Sequence, residues 1–305
     1  MPTLTHYPRI TCLLTLFSLI VLSACAPVGP NFTSPDAPSS ESFLDPSSSS
    51  NDKTDIALKE GETIAEAWWE MFQSEPLNAL IRQGLNNNPT ITAANARIVQ
   101  LQESYHAQVG SVTYPSVDAS LNANRQKISG AAFGTGSRMY SVYNGSISAS
   151  YQIDLFGGSS RYLEALQADI DQAQYQRQAA RMTLVSNIIA AVIAEATLNE
   201  QIDTLDKMVR DSQAQLHLIE QQANFGAKTQ VAVLTQRQQL AQMEAQRPPL
   251  QKQLQQTRHL LAILVGELPE KSSLPQFKLD SLHLPTTLPV TLPSAFVHQR
   301  ADILA

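Results

Sequence analysis

Residues Tyr143 to Gln174 read YNGSISASYQIDLFGGSSRYLEALQADIDQAQ, and the hydrophobic period changes halfway along this stretch. Up to Leu155 the apolar residues fall on every second position, which is the period of a strand with two different faces. After Gly157 and Gly158 they fall three or four positions apart, which is the period of an amphipathic helix. The sequence therefore predicts a strand that runs directly into a helix.

An earlier stretch, VDASLNAN at Val117–Asn124, has the same alternation, and the segment Arg125–Met139 that follows it is rich in glycine. This pattern predicts two strands joined by a loop. On one side of both strands the residues are small and polar, and only the first of them is charged. They are Asp118, Ser120, Asn122, Asn144, Ser146, Ser148 and Ser150.

The other side of the two strands carries mostly alanine, isoleucine and tyrosine, with tyrosines towards both ends of the second strand. This combination is typical of strands in an outer-membrane barrel, with lipid on the apolar side, water on the polar side and aromatic rings near the interfaces. A soluble β-sandwich also produces alternation and remains the alternative from this pattern alone. Its strands usually carry bulkier core residues and charged outer ones.

The helix that follows is unusually long. From Ser159 to Phe225 the chain has neither glycine nor proline, and these 67 residues would extend about 100 Å as one helix. Helices in globular proteins average about three turns. A helix of this length has to bury its apolar stripe against neighbouring helices, so the sequence predicts a coiled coil or a helical barrel.

A second helical segment returns along the first. Gly226 ends the long helix, Thr229 is the predicted N-cap of the next one, and Gly266 ends the periodic pattern. Pro248-Pro249 interrupts the returning segment. The sequence thus predicts a long antiparallel helical hairpin, followed after Pro269 by a proline-rich, irregular connector.

Two shorter helices are predicted before the strands. The first carries the apolar positions Leu77, Leu80, Ile81 and Leu85, and Trp68 and Trp69 before it are expected to pack in a core. The second has Asn88 as its N-cap and Pro89 in its first turn, and it is expected to end near Gly110.

The N-terminus is predicted to be a targeting segment. Arg9 precedes a short apolar run, Ile10–Leu22, which is too short to span a bilayer as a helix. The small residues before Cys25 resemble the lipobox of bacterial lipoproteins, which implies that Cys25 is acylated, with palmitate for example, and becomes the mature N-terminus. An ordinary secretory signal is the alternative. Residues 33–55 are rich in serine and proline and predict a flexible tether.

Composition and motifs give no support for catalysis or for nucleic-acid binding. The net charge is −6 and the 21 basic residues are spread along the chain. His217 and His259 lack partners at the spacing of a helical metal site, and no phosphate-binding loop or nucleophile motif is present. The sequence therefore predicts no enzyme, no cofactor and no metal site.

Several of these segments, in this order, resemble one family. The lipobox is followed by VGPNF at Val28–Phe32 and by WWEMFQSEPLNALIRQGLNNNP, then by YQIDLFGGSSRYLEA, FGAKTQVAVLTQRQQLAQMEAQRPPL and LLAILVGELPE. They are similar to the outer-membrane efflux lipoproteins of the TolC type, in the NodT/OprM-like branch. The resemblance extends over nearly all of the chain after Cys25. Its most specific part is Asp154-Leu155-Phe156-Gly157 at the start of the long helix.

The resemblance implies a fold that is mainly α with a β-hairpin, in which outer-membrane barrel strands pass into an α-helical tunnel in the periplasm. Asp154, Phe156 and Gly157 would form the junction between barrel and tunnel, and the polar side of the strands would line the lumen. The turn at Phe225, Gly226 and Ala227 would be the tip that meets a periplasmic adaptor protein. Trimers of such subunits serve as passive conduits for an inner-membrane pump.

The resemblance covers only the first of two similar halves in family protomers, because SAFVHQRADILA at Ser294–Ala305 resembles the opening of the second half. We expect a truncated product, a partner chain that supplies the second half, or six copies in place of three. A non-conducting or adaptor-like periplasmic lipoprotein is the alternative function. The predicted segments are a signal peptide (1–24), a lipidated tether (25–62), N-terminal helices (63–110), the barrel hairpin (111–156), the helical hairpin (157–268) and a connector (269–305).

Overall fold

The computed structural model describes residues 28–33, 35, 57–60, 67–132, 134, 136–283, 287–290 and 300–305. Cys25, the predicted lipidation site, lies outside these residues. The chain divides into two compact units, one made of Met1–Ser34 with Ile98–Asp171 and the other of Pro35–Arg97 with Gln172–Ala305. The elements in chain order are β1 (Ala57–Glu60), α1 (Glu75–Asn87), α2 (Pro89–Thr113), β2 (Ser116–Ile128), β3 (Arg138–Ser150), α3 (Gly158–Asn224), α4 (Gln230–Glu244), α5 (Arg247–Leu264), β4 (Thr287–Val290) and α6 (Ala301–Leu304).

In the first unit, β2 and β3 form an antiparallel two-stranded ribbon. Their pairing runs without a bulge from Ser116 opposite Ser150 to Ile128 opposite Arg138. The predicted hairpin is therefore present, but the predicted loop Arg125–Met139 is wrong at both ends because each strand continues into it. The pairing of backbone groups does not depend on apolar alternation, so it continues through residues whose side chains gave no strand signal.

The ribbon leads into α3, which runs as one helix of 67 residues from Gly158 to Asn224 and confirms the predicted length. Just before it, Gly157 has a φ of +74°, a left-handed conformation that glycine adopts without a steric penalty. β3 ends at Ser150, so the apolar alternation that runs up to Leu155 continues beyond the end of the strand.

The returning helices α4 and α5 are separated by Ala245 and Gln246. Pro248 and Pro249 lie in the first turn of α5, where the missing N–H group would have no helical partner in any case. The predicted interruption is present, but it falls just before the prolines because they can begin a helix and cannot continue one. Thr229 is the N-cap of α4 as predicted, and its side chain accepts a hydrogen bond from the Ala232 N–H.

The core of the second unit is built from α1, the middle of α3 and the end of α5. Gly84 on α1 allows this close packing, because a Cβ there would lie 2.6 Å from Cδ1 of Ile188 on α3. The tryptophans at 68 and 69 pack against the core, as predicted. The buried members are Leu77, Leu80, Ile81, Ile91, Leu184, Val185, Ile188, Ile189, Ala191, Val192, Ala196, Leu261, Ala262, Val265, Leu274 and Phe277.

Three further features of the fold differ from the sequence prediction. β1 pairs in parallel with β4, so the segments expected to be a tether and an irregular connector each contain a short strand. Phe277, also in the predicted connector, is almost completely buried. α2 continues past Gly110 to Thr113, because a single glycine costs a helix only about 1 kcal/mol, and it ends just before Pro115.

Among the described helices, only α3 contains an 18-residue window long and apolar enough to cross a membrane, with a mean hydropathy of 1.4. Half of that window is buried within the protein. By length and composition alone such a window also fits a core helix, and the buried apolar residues between Leu184 and Ala196 of α3 belong to the core. The packing therefore supports a core helix.

Candidate functional site

The polar face of the ribbon brings together all seven residues predicted to line a lumen. Directly opposed residues of an antiparallel pair point to the same side of a sheet, and so do residues two apart on one strand. The register places these seven residues and Ser116 on one face in four cross-strand pairs, Ser116–Ser150, Asp118–Ser148, Ser120–Ser146 and Asn122–Asn144.

Side chains on this face bond to one another across the ribbon. The Oγ atoms of Ser116 and Ser150 lie 2.7 Å apart and those of Ser120 and Ser146 lie 2.8 Å apart. All these residues are exposed, so their remaining donors and acceptors face solvent. The face is a hydrated surface with one carboxylate and no concave pocket of charged ligands, which suits the passage of solutes better than their tight binding.

The opposite face of the ribbon is apolar, and the described part of the chain leaves it uncovered. Leu121 is 85% exposed, Ile147 81% and Tyr143 75%. A water-exposed strip of this kind is unfavourable, since burying apolar surface contributes roughly 25 cal/mol for each Å². The ribbon therefore combines a face suited to water with a face that needs an apolar environment.

At the junction, Asp154 supports the first turn of α3. Its Oδ2 accepts hydrogen bonds from the N–H of Ser160 at 3.0 Å and from the Ser160 hydroxyl at 3.2 Å. The backbone hydrogen bond from Ser160 is the main cause that lowers the pKa of this carboxyl below its usual value. The predicted junction residues Phe156 and Gly157 lie between Asp154 and the helix, and the Phe156 ring is largely exposed.

Arg161 adds a contact at the junction that the sequence analysis missed. Its Nη2 donates to Asn31 Oδ1 at 2.8 Å and to the Gly29 carbonyl at 3.3 Å. The Val28 N–H also donates to the Phe156 carbonyl at 3.0 Å. The segment VGPNF is thus held against the start of α3. The segment VGPNF belongs to the family pattern, and this was the sequence signal that it has a role. The residue that it contacts, Arg161, lies about 130 residues further along the chain.

The predicted tip is a tight turn with an exposed aromatic ring. The Ala227 N–H donates to the Gln222 carbonyl at 2.8 Å and the Gly226 N–H donates to the Ala223 carbonyl at 3.0 Å, as in a Schellman motif. Gly226 has the left-handed φ of +78° that this motif requires. Phe225 is 88% exposed, so the turn presents an apolar group that has no partner in this part of the structure.

No metal centre is found in the described part of the chain, where no three His, Cys, Asp or Glu side chains are grouped closely enough to hold an ion. His217 Nε2 lies 3.1 Å from the amide nitrogen of Gln221, one helical turn further on. Glu195 is the one buried carboxylate among the described residues, and its neighbour is Arg258.

Comparison with known proteins places this architecture in a family. The model of the family described as outer membrane efflux protein matches residues 80–267. The chain belongs to the outer membrane efflux protein family. The match includes the ribbon, the junction, the whole of α3 and the returning helices, so it covers the elements that carry the candidate site.

Individual members of the outer membrane efflux protein family are similar to this chain over different lengths. Pyoverdine export outer membrane protein OpmQ of Pseudomonas putida is 30% identical over 207 residues, which cover 66% of this chain and 44% of that protein. Probable outer membrane lipoprotein SilC of Salmonella typhimurium is 23% identical, with 96% of this chain and 61% of that protein covered. The solved structure of the outer-membrane channel OprN has a TM-score of 0.75 and 23% identity, with 91% of this chain and 60% of that chain covered.

The structural similarity confirms the predicted fold, mainly helical with one antiparallel β-hairpin, as in TolC-like channels. The chain spans about half the length of the curated relatives it matches. OpmQ is named as a pyoverdine export outer membrane protein, and SilC is named as a probable outer membrane lipoprotein. The lining, junction, tip and lipidation assignments stay predictions, because no comparison assigns individual residues.

Proposed function

We propose that this chain is an outer-membrane channel subunit of a tripartite export system and forms part of the wall of a passive, water-filled conduit. The observation that carries the proposal is the two-faced ribbon, which places seven small polar residues on one side and uncovered apolar residues on the other. Residues 151–157 connect the ribbon to a 67-residue helix, as expected where a barrel wall continues into a tunnel wall.

The proposal includes partners and location. Copies of the chain assemble as a homo-oligomer, a trimer as in the family, with an inner-membrane pump as the energy source and a periplasmic adaptor at the tip around Phe225. Acylation of Cys25 anchors the chain at the outer membrane, in line with the word lipoprotein in the name of SilC. The chain carries out no chemical reaction and needs no cofactor. The exported substrate is selected by the pump.

Cysteine labelling tests the two faces of the ribbon. The only native cysteines are Cys12, in the predicted signal peptide, and Cys25, whose sulfur is blocked when acylated. Cysteines introduced on the polar face, Ser120→Cys and Ser146→Cys, are expected to react with a water-soluble maleimide in outer-membrane fractions. The matched variants Ala119→Cys and Ile147→Cys lie on the other face and are expected to react only after detergent is added.

Equal reactivity of the two pairs before detergent would contradict the conduit. In that case the adaptor-like alternative is tested by removing the lipid anchor with Cys25→Ser. A subunit inserted through its strands stays with the outer membrane and keeps heat-modifiable migration in gels. An adaptor-like lipoprotein is released into the periplasm when the anchor is lost.

A further inference from the structure

The apolar face of the ribbon ends in two cations. Along β2 the residues on this face are Val117, Ala119, Leu121 and Ala123, and then Arg125 and Lys127. Arg125 lies opposite Ser141 and Lys127 lies opposite Met139, so neither cation has a carboxylate as its cross-strand neighbour. The sequence contains no Asp or Glu between Asp118 and Asp154, and Asp118 points to the other face.

The distance along the ribbon places these cations just beyond an apolar band. β3 covers Tyr143 to Ser150 and Ile153 lies three residues beyond the end of the strand, so the ten residues from Ile153 to Tyr143 advance at most about 33 Å. A strand tilt of about 40° reduces this to about 25 Å, the height of the lipid-facing band of an outer-membrane barrel. Tyr143, which pairs with Ala123, then lies where an aromatic girdle is expected, and Arg125 is two residues further out along β2.

We propose that Arg125 and Lys127 form an outward-facing basic pair that binds the phosphate groups of lipids in the outer leaflet. This inference rests on the proposed function, because α3 follows the other end of the ribbon and identifies that end as periplasmic. Guanidinium and ammonium groups form charge-assisted hydrogen bonds with phosphate oxygens. The phosphates of a membrane lie at its interface, and the length of the apolar band places the pair there.

Arg138 provides a charge-matched control on the same ribbon. It pairs with Ile128 and therefore lies on the polar face, with Tyr140 and Gln126 as the next pair along. If these cations served only to solubilise the end of the ribbon, Arg125, Lys127 and Arg138 would have the same effect on lipid binding. If the basic pair binds lipid phosphate, Arg138 differs from Arg125 and Lys127 because it faces away from the lipid.

The experiment measures co-flotation of the complete, lipidated chain with two kinds of vesicle, phosphatidylcholine alone and phosphatidylcholine with added lipid A, which carries two phosphates. Wild type is expected to partition more strongly into the lipid A vesicles. Arg125→Gln and Lys127→Gln are each expected to reduce that preference about fivefold, following the usual contribution of one cation near an anionic surface. Arg138→Gln is expected to retain it, and inorganic phosphate in solution is expected not to abolish it.

Two results would overturn the inference. One is a lipid A preference that survives the double variant Arg125→Gln/Lys127→Gln, and the other is an equal loss in Arg138→Gln, which would indicate an effect of net charge. The Ile147→Cys thiol separates these results from a failure of the proposed function. If that thiol stays closed to maleimide in both kinds of vesicle, the ribbon faces lipid and only the phosphate assignment fails. If it is open in both, the conduit itself is contradicted.

Discussion

At the scale of single residues, two glycines with the same backbone conformation lie in different surroundings. Gly226 at the tip and Gly266 after α5 both have a φ of +78°. A Cβ on Gly226 would have no neighbour within 4 Å, whereas a Cβ on Gly266 would lie 2.5 Å from the Asn87 carbonyl oxygen and 2.8 Å from its carbon. The second glycine is therefore required by packing as well as by conformation.

We predict that Gly266→Ala lowers the free energy of unfolding by about 3 kcal/mol, combining the left-handed strain with a clash against backbone atoms. Gly226→Ala carries the left-handed strain alone and is expected to cost about 1 kcal/mol. Urea unfolding followed by circular dichroism measures both. Equal costs would show that the contact between Gly266 and Asn87 does not constrain the fold.

Glu195 is a carboxylate in an apolar core. Its side chain is fully buried, and neither carboxylate oxygen has a hydrogen-bond partner. Arg258 Nη1 lies 3.6 Å from its Oε1, and Nη2 of the same arginine donates to the Leu274 carbonyl at 3.2 Å. Burial raises the pKa of Glu195 above its usual value of 4.5, and the opposing attraction of Arg258 is smaller.

This carboxylate predicts a pH dependence of stability. Because the folded pKa is higher than the unfolded one, the folded state retains a proton that unfolding releases. The free energy of unfolding therefore falls as pH rises from about 4.5 through the raised folded pKa. Glu195→Gln is expected to remove this part of the pH profile, and Glu200→Gln, at an exposed position on the same helix, is expected to keep it.

The role of Arg258 is tested in the same unfolding experiment. Arg258→Ala leaves the buried carboxyl of Glu195 without its counter-charge and is expected to cost about 3 kcal/mol at pH values above the raised folded pKa, where Glu195 is ionised. The loss is expected to be smaller below pH 4.5, where Glu195 is neutral. An identical loss at both pH values would mean that the arginine acts through packing alone.

At the scale of elements, one buried polar contact joins α3 to α4. Gln236 Nε2 donates to Ser212 Oγ at 3.0 Å, and both residues are buried. A hydrogen bond inside an apolar helix interface is satisfied in only one alignment of the two helices. The pair thus fixes the register of the hairpin.

We predict that Ser212→Ala lowers stability by about 1–2 kcal/mol, because it leaves the amide of Gln236 buried without a partner. The double variant Ser212→Ala/Gln236→Leu removes both polar groups and is expected to recover most of that loss. Urea unfolding of the two single variants and the double variant gives the coupling between the residues. Additive losses would contradict a specific contact between them.

The elements that the sequence predicts well are those defined by local period and local breaks. The 67-residue helix follows from an uninterrupted 3.6-residue period with Gly158 at one end and Gly226 beyond the other. The face of the ribbon follows from alternation alone, because a period of two assigns every residue to a side. The same logic placed the N-cap at Thr229 and the turn at Gly226, where residue type and backbone conformation are directly linked.

The features that the sequence did not predict depend on partners far along the chain. β1 and β4 are four residues each and pair across more than two hundred positions, so neither has a period long enough to detect. Arg161 is one of many arginines in the sequence, and only the fold brings it to Asn31. The burial of Phe277 likewise depends on the helices beneath it, since its proline-rich surroundings predict a loop.

At the scale of the whole molecule, several apolar side chains on the helices have no cover in the part of the chain that the structure describes. Ile263 on α5 is 58% exposed, Leu260 50%, and Met208 on α3 48%. Uncovered apolar groups spread along long helices are typical of surfaces that meet other subunits. Under the proposed function, they lie between neighbouring copies in the tunnel wall.

Assembly gives the last prediction. Ile263→Asp introduces a charge into the proposed contact between copies and is expected to shift the chain from oligomer to monomer, because desolvating an unpaired carboxylate is costly. Gln256→Asp makes the same change of side-chain charge at an exposed polar position of α5 and is expected to leave the oligomer intact.

Native mass measurement in detergent gives the number of copies for wild type and both variants. A wild-type chain that is monomeric at every concentration would contradict a wall built from copies of this chain. If the Ile263→Asp variant forms an oligomer as stable as that of wild type, the contact between copies lies elsewhere on the helices.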